Sequence, residues 1–307
     1  MSKTRSMIRI ISFSIAFALA TAACVEGQTV IPPSMIGARN AAMGSADMAQ
    51  PHDISSIYEN PAAIALLRNP SVFLNHVQGI DNEMQEDIAF PVLYTTSQML
   101  AFGAQYSSLG ELTSSSQQPR FAVAYDVAFA SKINSITSLG GSVTLQRGYV
   151  AHMSNAYSAS YAIGFDYAPN RDVSYGLSLT GLGTGVQFET ANSLVTPVQT
   201  ILQRALTVSA VLRYPTEESL QPAFLTMALG SQKVFGVSGV NFMGGVQFLP
   251  FSFLALRFGY SAGPSGYQER YGLGFIDNAF SLDVAAYPVK NGGASSLFEQ
   301  LSVLMEF

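Results

Sequence analysis

Few residues in this chain have the types and spacing that catalysis or metal binding requires. The three histidines, His52, His76 and His152, are scattered, and no pair of them has the spacing of metal ligands. A surface serine hydrolase needs a Ser and a His on one outward face, and His152 with Ser154 in a predicted loop, or His76, would be its candidates. A loop histidine and a rim or lumen histidine explain the same residues without chemistry. We therefore predict no enzyme, no metal and no cofactor.

The glycine-rich run at 181 to 185 is a weak motif as well. A phosphate-binding loop needs a helix after it, and residues 186 to 189, Val-Gln-Phe-Glu, are typical of a strand.

Charged residues at alternate positions of predicted strands are better candidates for a functional site. They are Asp126, Asp166, Arg257 and Asp283, and they would project into the lumen of a barrel, as would Arg39 from an N-terminal plug. Because unpaired charge in a confined interior is costly, we expect Arg39 or Arg257 to pair with one of these carboxylates. One interpretation is that such a pair simply holds the plug in place. The other is that breaking the pair opens a path through the barrel.

The elements that position these charges are predicted from strict alternation. From 121 to 130, large apolar residues occupy every odd position, and Ala or Asp126 occupies the even ones. The pattern returns at 157 to 167, 173 to 180, 254 to 260 and 280 to 285. It predicts strands with one face against lipid and the other, rich in Gly, Ala and Ser, against a narrow barrel interior.

Composition favours the same architecture. Hydrophobic residues make up 48% of the chain and charged residues 11%, and the mean hydropathy is +0.25, which is too apolar for a water-facing surface. No run of 18 apolar residues follows the N-terminal segment, so the excess is not held in spanning helices and a closed barrel remains. The net charge of −5 argues against nucleic acid as a partner.

The fold class that we predict is all-β: a transmembrane antiparallel β-barrel of about 14 strands with a short N-terminal plug that contains a small helix. The predicted strands are 71 to 78, 87 to 94, 98 to 107, 120 to 130, 136 to 147, 154 to 168, 172 to 182, 202 to 214, 222 to 232, 239 to 248, 251 to 262, 268 to 276, 279 to 287 and 297 to 307. Connections should alternate long and short, with 263 to 267 and 288 to 296 among the longer ones and 215 to 221 an exception. The last strand ends on Phe307, which resembles the terminal signature by which the barrel-assembly machinery recognises its clients.

Three regions follow from these patterns: a signal peptide at 1 to 27, a plug at 28 to 70 and the outer-membrane barrel at 71 to 307. The basic start and apolar stretch of the first region are typical of export across the inner membrane of a Gram-negative cell. Cleavage between Ala22 and Gly27 and lipoprotein cleavage that acylates Cys24 both remain open. In the second region Asn60 can cap a short helix with Pro61 at its first position. The alternative to a plug is a soluble periplasmic tail.

The N-terminal region resembles a known family. The run 37 to 46, which contains Gly37, Arg39, Met43 and Gly44, the pair His52-Asp53 and the run Tyr58-Glu59-Asn60-Pro61-Ala62 are similar to the signature of the PorV and PorQ group, whose barrels are related to the FadL long-chain fatty-acid transporters. Ser45, His52 and Ala63 depart from the usual residues of the group, and the fatty-acid transporters share the Asn-Pro-Ala element. The resemblance implies a fourteen-stranded barrel with a plug, and for the PorV and PorQ branch it implies a part in type IX secretion.

Two functions follow as expectations. The first is an outer-membrane interaction protein, embedded in lipid, whose loops 107 to 119 and 183 to 201 hold secreted proteins or other secretion components. The alternative is a FadL-like transporter of a hydrophobic small molecule. The first is favoured because these loops contain no large apolar cluster. A soluble all-β exported protein is a third reading, and it requires the alternating apolar side chains to pack against a second sheet or a helix.

Overall fold

The structure is a computed structural model. It describes residues 36–50, 53–79, 83–109, 121–150, 153–188, 199–200, 203–214, 224–264, 266–277, 279–291 and 294–307. Predictions for the signal peptide, Cys24, the first part of the plug up to 35, His52, His152 and most of loops 107 to 119 and 183 to 201 concern residues outside these ranges.

Strands dominate the described part of the chain. They are β1 (Ser71–Gln78), β2 (Glu83–Tyr94), β3 (Gln98–Leu109), β4 (Phe121–Asn134), β5 (Thr137–Val150), β6 (Met153–Tyr167), β7 (Val173–Phe188), β8 (Gln199–Thr200), β9 (Ala205–Tyr214), β10 (Leu225–Val234), β11 (Asn241–Phe251), β12 (Leu254–Gly263), β13 (Gly266–Asp277), β14 (Phe280–Asn291) and β15 (Ala294–Glu306). Each of the fourteen predicted strands corresponds to one long strand, and the two-residue β8 is additional.

The long strands form one closed antiparallel barrel. Each strand pairs with its neighbour in the chain, β7 pairs with β9 past the short β8, and the first strand pairs with the last, with Ser71 opposite Glu306. Closure leaves no free sheet edge between the first and last strands, which is the condition for strands in lipid. The predicted fold class is confirmed.

Side-chain directions follow the alternation in the sequence. On β4 the even positions from 122 to 130 are buried inside the barrel and most odd positions are exposed on its outer surface. Tyr125, Phe165 and Leu256 are 52%, 36% and 39% exposed, so neither a second sheet nor a helix covers them. The apolar outer surface is what a lipid environment requires, and the reading as a soluble all-β protein loses its main condition.

The two ends of the barrel can be told apart. At the turn end the plug joins β1 at Pro70 and β15 finishes at Phe307, whose N–H donates to the Pro70 carbonyl at 3.0 Å. The opposite, loop end carries the connection between β7 and β9. The prediction of longer connections at 263 to 267 and 288 to 296 was wrong. Strands β12 and β13 pair as far as Gly263 and Gly266, and β14 and β15 pair as far as Asn291 and Ala294, so both connections are short. Backbone pairing continues there after the alternation of side chains has ended.

The plug, residues 36–50 and 53–70, contains three short helical segments. They are α1 (Ala38–Ala42) and two 3₁₀ helices, Ile54–Tyr58 and Pro61–Leu66. The last is the predicted short helix, with Pro61 in its first turn and the Asn60 side chain accepting from the Ala62 N–H at 3.3 Å. None of the helices in the described ranges has both the length and the apolar character of a membrane span.

The outer surface of β4 provides a test of the membrane assignment. Val127 lies near the middle of the strand and Ile133 near its turn end, and both face outward. We expect Val127→Arg to lower the free energy of unfolding by about 2–4 kcal/mol and Ile133→Arg by about 0–1 kcal/mol, because the cost of a lipid-facing charge depends on depth. Denaturant unfolding in phospholipid vesicles measures both values, and equal costs would contradict the assignment.

Candidate functional site

The plug lies against the inward faces of the strands, so the contact between plug and lumen wall is the candidate functional site. Its first half uses alanines. Ala38, Ala41 and Ala42 of α1 are fully buried and form one cluster with Ala285 and Tyr287 of β14. Small side chains let the helix approach the sheet closely, which brings the charged and polar groups of the plug within reach of the wall.

The turn after α1 packs backbone against backbone. Gly44 has a φ of 69°, and a Cβ at this position would lie 2.7 Å from the Gly244 carbonyl oxygen and 2.9 Å from the Tyr260 backbone. On the wall, a Cβ at Gly245 would lie 2.3 Å from the Met43 carbonyl oxygen, and a Cβ at Gly259 would lie 2.2 Å from the Gly44 nitrogen. Both conformation and space therefore require glycine at Gly44.

The second half of the plug is anchored by hydrogen bonds to a carboxylate and to two hydroxyl groups of the wall. Asn60 is fully buried, and its side-chain Nδ2 donates to Asp166 Oδ2 on β6 at 3.2 Å. The Ser138 hydroxyl of β5 donates to the Ala62 carbonyl at 2.9 Å, and the Ser178 hydroxyl of β7 donates to the Glu59 carbonyl. These bonds satisfy polar groups of the 3₁₀ helix that burial removes from water.

Ionic contacts lie on the opposite side of the lumen. Arg257 Nη1 and Asp283 Oδ1 are 2.5 Å apart, both residues are buried, and Arg257 Nε also donates to Gln247 at 2.8 Å. A Cβ at Gly274 would lie 2.2 Å from Asp283 Oδ1, so this glycine makes room for the pair. The expected partner for Arg257 is thus present, and it lies on the wall.

Arg39 pairs within the plug. Its Nε lies 3.7 Å from Asp47 Oδ2. Arg270 of β13 instead links wall and plug, because its Nη1 donates to the Ser45 hydroxyl at 3.1 Å and its guanidinium lies 5.7 Å from the centre of the Tyr287 ring. The plug is therefore held by a guanidinium on the β13 side and by two hydroxyls and a carboxylate on the β5 to β7 side.

A small polar cavity lies in the plug, and Phe73 of β1 and Ser302 of β15 complete its lining. It has a volume of about 30 Å³, enough for about two water molecules. Its charged lining groups are Arg39, Asp47, Asp53 and Glu59, and Asp53 caps the Ile54–Tyr58 helix by accepting from the Ser55 N–H at 2.7 Å. Within the described residues no group of three His, Cys, Asp or Glu side chains is placed to hold a metal ion.

Burial disfavours charge on all four groups. Desolvation raises the pKa of Asp47 and Asp53, and desolvation with the repulsion of these two carboxylates raises the pKa of Glu59 to about 8, against a smaller effect of its hydrogen bond from Asn40. Desolvation and the charge of Arg257 lower the pKa of Arg39 to about 10. The plug interior is therefore most stable when Glu59 is protonated.

The predicted site residues fall into three places. Gly37, Arg39, Met43, Gly44, Asp53, Asn60 and Pro61 lie in the plug, Asp126, Asp166, Arg257 and Asp283 lie buried on the lumen wall, and Phe307 lies exposed at the turn end. His76 does not face the lumen but lies on the outer face of β1, with its Nδ1 2.7 Å from Glu86 Oε1. Alternation places Val72, Leu74 and His76 together on that face, and it is the outward one.

Three charged residues of the plug and its contact with the wall were missed from the sequence. Asp47 and Glu59 lie in the plug, where no periodic pattern indicates direction. Arg270 could have been predicted from the sequence, because it follows the alternation of β13 and lies on the same inward face as the buried Gly274. Extending the alternation to this strand would have identified it.

The packing of the 3₁₀ helix on β5 can be tested with adjacent glycines. A Cβ at Gly140 would lie 2.5 Å from the Pro61 carbonyl carbon, whereas a Cβ at Gly141 would have nothing nearer than the Ala162 carbonyl oxygen at 3.5 Å. We expect Gly140→Ala to loosen the plug by about 1–3 kcal/mol and to speed amide exchange at 62 to 66 by about tenfold or more. Hydrogen exchange mass spectrometry checks this. Gly141→Ala is the control, and equal exchange in the two variants would refute close packing.

The pH dependence of the plug provides a second test. Because the pKa of Glu59 is raised on folding, the folded plug binds more protons than the open plug between the two pKa values, so plug stability falls as pH rises from 5 to 8. We expect the protection of plug amides, corrected for intrinsic exchange, to fall by about tenfold over this range. This is less than the whole pKa change of Glu59 would give, because the side chain is only partly buried and solvent screens its charge. In Glu59→Gln the fall should be smaller, with the remainder coming from Asp47 and Asp53, whose pKa burial also raises, and an undiminished fall would exclude Glu59 as a cause.

Comparisons with known proteins identify the fold. No family model and no curated protein sequence matches the chain. Among solved structures, the Ralstonia pickettii toluene transporter TbuX has a TM-score of 0.63 at 12% identity, covering 89% of this chain and 98% of its own. The P. putida toluene transporter TodX has a TM-score of 0.64 at 11% identity, covering 88% of this chain and 98% of its own.

A Pseudomonas aeruginosa FadL homologue has a TM-score of 0.56 at 12% identity, covering 92% of this chain and 100% of its own. At such low identity the likeness concerns the fold. The chain has the fold of these toluene transporters and of the FadL homologue.

Proposed function

We propose that this protein is an outer-membrane channel that passes hydrophobic small molecules when its plug moves. The observation that carries the proposal is the fold, a closed barrel that matches toluene transporters over nearly their whole length. The proposal reverses our preference from the sequence, which placed docking of secreted proteins first. An enzyme is not supported either, since the similar structures are named as transporters.

The packing between plug and wall also supports passage. A cluster of buried apolar side chains joins the 3₁₀ helices to β1 through β4. It contains Ile36, Ile54, Ile57, Ile64, Ala65, Leu67, Phe73, Ala89, Met99, Ala101, Ala128 and Ala130. Displacing the plug would uncover part of this apolar surface, and an apolar solute entering the space would restore its burial.

The resemblance to the PorV and PorQ group keeps a docking role in protein secretion as a second candidate. One observation favours it: the cavity inside the plug is small and polar. A docking protein needs no displaced plug, whereas a transporter does. Locking the plug therefore separates the two functions.

A disulfide between plug and wall provides this lock. A Cβ at Gly176 of β7 would lie 3.1 Å from the Ala49 Cβ, close to the separation of about 3.5–4.5 Å in disulfides. In proteoliposomes, Ala49→Cys with Gly176→Cys should take up radiolabelled toluene after reduction and lose this uptake on oxidation. Each single cysteine variant is the control, and both should be insensitive to oxidation.

Two results would overturn the proposal. The first is uptake by the reduced double variant, or by the wild type, that does not exceed that of protein-free vesicles. The second is equal uptake by the oxidised and reduced double variant, with disulfide formation verified by mass spectrometry. Secretion components that co-purify equally with both forms would then support docking.

A further inference from the structure

Acidic and amide side chains line one wall of the lumen between the loop end and the plug. We call this wall the acidic strip: Gln85 and Asp87 on β2, Gln105 and Ser107 on β3, and Asp126 on β4. All five are buried and face inward. The strip ends at the plug, where the Tyr58 hydroxyl packs against Gly103, the residue paired with Asp126.

The first carboxylate, Asp87, is surrounded by neutral donors. Asn75 Nδ2 donates to its Oδ2 at 2.7 Å, and Gln85 Nε2 donates to its Oδ1 at 2.8 Å. Gln300 Nε2 in turn donates to Asn75 Oδ1 at 2.9 Å, which orients the amide toward the acid. Amide donors stabilise an ionised carboxylate without cancelling its charge, so these hydrogen bonds oppose the effect of burial on Asp87.

The second carboxylate, Asp126, has an oxygen that nothing in the described residues satisfies. Its Oδ1 accepts from the Thr144 hydroxyl, but its Oδ2 has no hydrogen-bond partner, and neither has the Ser107 hydroxyl. Asp126 and Ser107 are each 3% exposed. Buried oxygens without partners are costly unless water or a cation approaches them.

Cationic side chains lie on the other wall and are engaged there. Arg257 is paired with Asp283, and Arg270 donates to Ser45, Ser261 and Gln268. Among the described inward positions of β2 to β5 between the loop end and the plug, none is Lys or Arg. The lumen is therefore acidic along one wall without a compensating cation on it.

From this arrangement we propose that the acidic strip is a binding path for small inorganic cations, so that the lumen conducts potassium or sodium in preference to chloride when the plug is displaced. Carboxylates and oxygen dipoles at close quarters stabilise a partly dehydrated cation, whereas the same groups repel an anion. The path is separate from the proposed passage of apolar solutes, because the strip offers oxygen atoms and not apolar surface. Both proposals require that the plug can be displaced, and they fail separately: loss of toluene uptake refutes only the passage of apolar solutes, and loss of the cation preference refutes only the binding path.

The experiment uses planar bilayers and a potassium chloride gradient, with Gly140→Ala to loosen the plug. The reversal potential should give a several-fold preference for potassium over chloride. Adding Asp87→Asn and Asp126→Asn should bring the permeability ratio close to unity. The matched control is Glu86→Gln, which removes the same charge one residue along β2 on the outer face, and it should leave the preference unchanged.

A second background, Gly164→Ala, guards against failure of the first, because a Cβ there would lie 2.1 Å from Asn60 Oδ1. Heat-modifiable migration on gels verifies that each variant is folded. Four results would overturn the proposal: no current from either folded background, a ratio of one or an anion preference with the strip intact, a preference that survives both Asp replacements, or one that Glu86→Gln abolishes equally.

Discussion

The structure depends on one constraint, that strands in lipid must find every backbone hydrogen-bond partner within the protein. The pairing of β1 with β15, with Ser71 opposite Glu306, meets this constraint by joining the ends of the sheet. Closure then dictates the side chains, because each strand has one face against lipid and one against the lumen. The exposed Tyr125 and the buried Asp126 are neighbours in sequence and differ for this reason alone.

A closed barrel of this size encloses a space that side chains do not fill by themselves. Here the filling comes from the N-terminal segment, and the wall accommodates it with glycines such as Gly140, Gly245 and Gly259, whose positions a Cβ would block. The same close approach removes water from Arg39, Asp47, Asp53 and Glu59, so packing and electrostatics have one cause. The plug packs tightly against the wall, yet it contains Glu59, and the ionised form of this side chain destabilises the packed state.

Most of the barrel could be predicted from the sequence because alternation has a physical cause at every position. Asp126, Asp166, Arg257 and Asp283 lie inside, as their parity indicated, and Arg257 pairs with Asp283. The plug followed no such rule. Only its Asn60-Pro61 cap had a local signature, whereas α1, the Arg39 to Asp47 contact and the link from Ser45 to Arg270 depend on tertiary approach. Loop-end strand boundaries were missed since backbone pairing there outlasts the alternation.

The two halves of the lumen differ in what they can hold. The acidic strip toward the loop end presents Asp87, Gln105 and Asp126, groups that an apolar solute would desolvate without replacing their partners. The apolar cluster that includes Ile57 of the plug and Phe73 of β1 lies where the plug packs on the wall. Apolar solutes thus gain apolar contacts only where the plug is displaced from the wall. The contact surface between plug and wall, more than the loop end of the barrel, would therefore determine the selectivity of a hydrocarbon channel with this sequence.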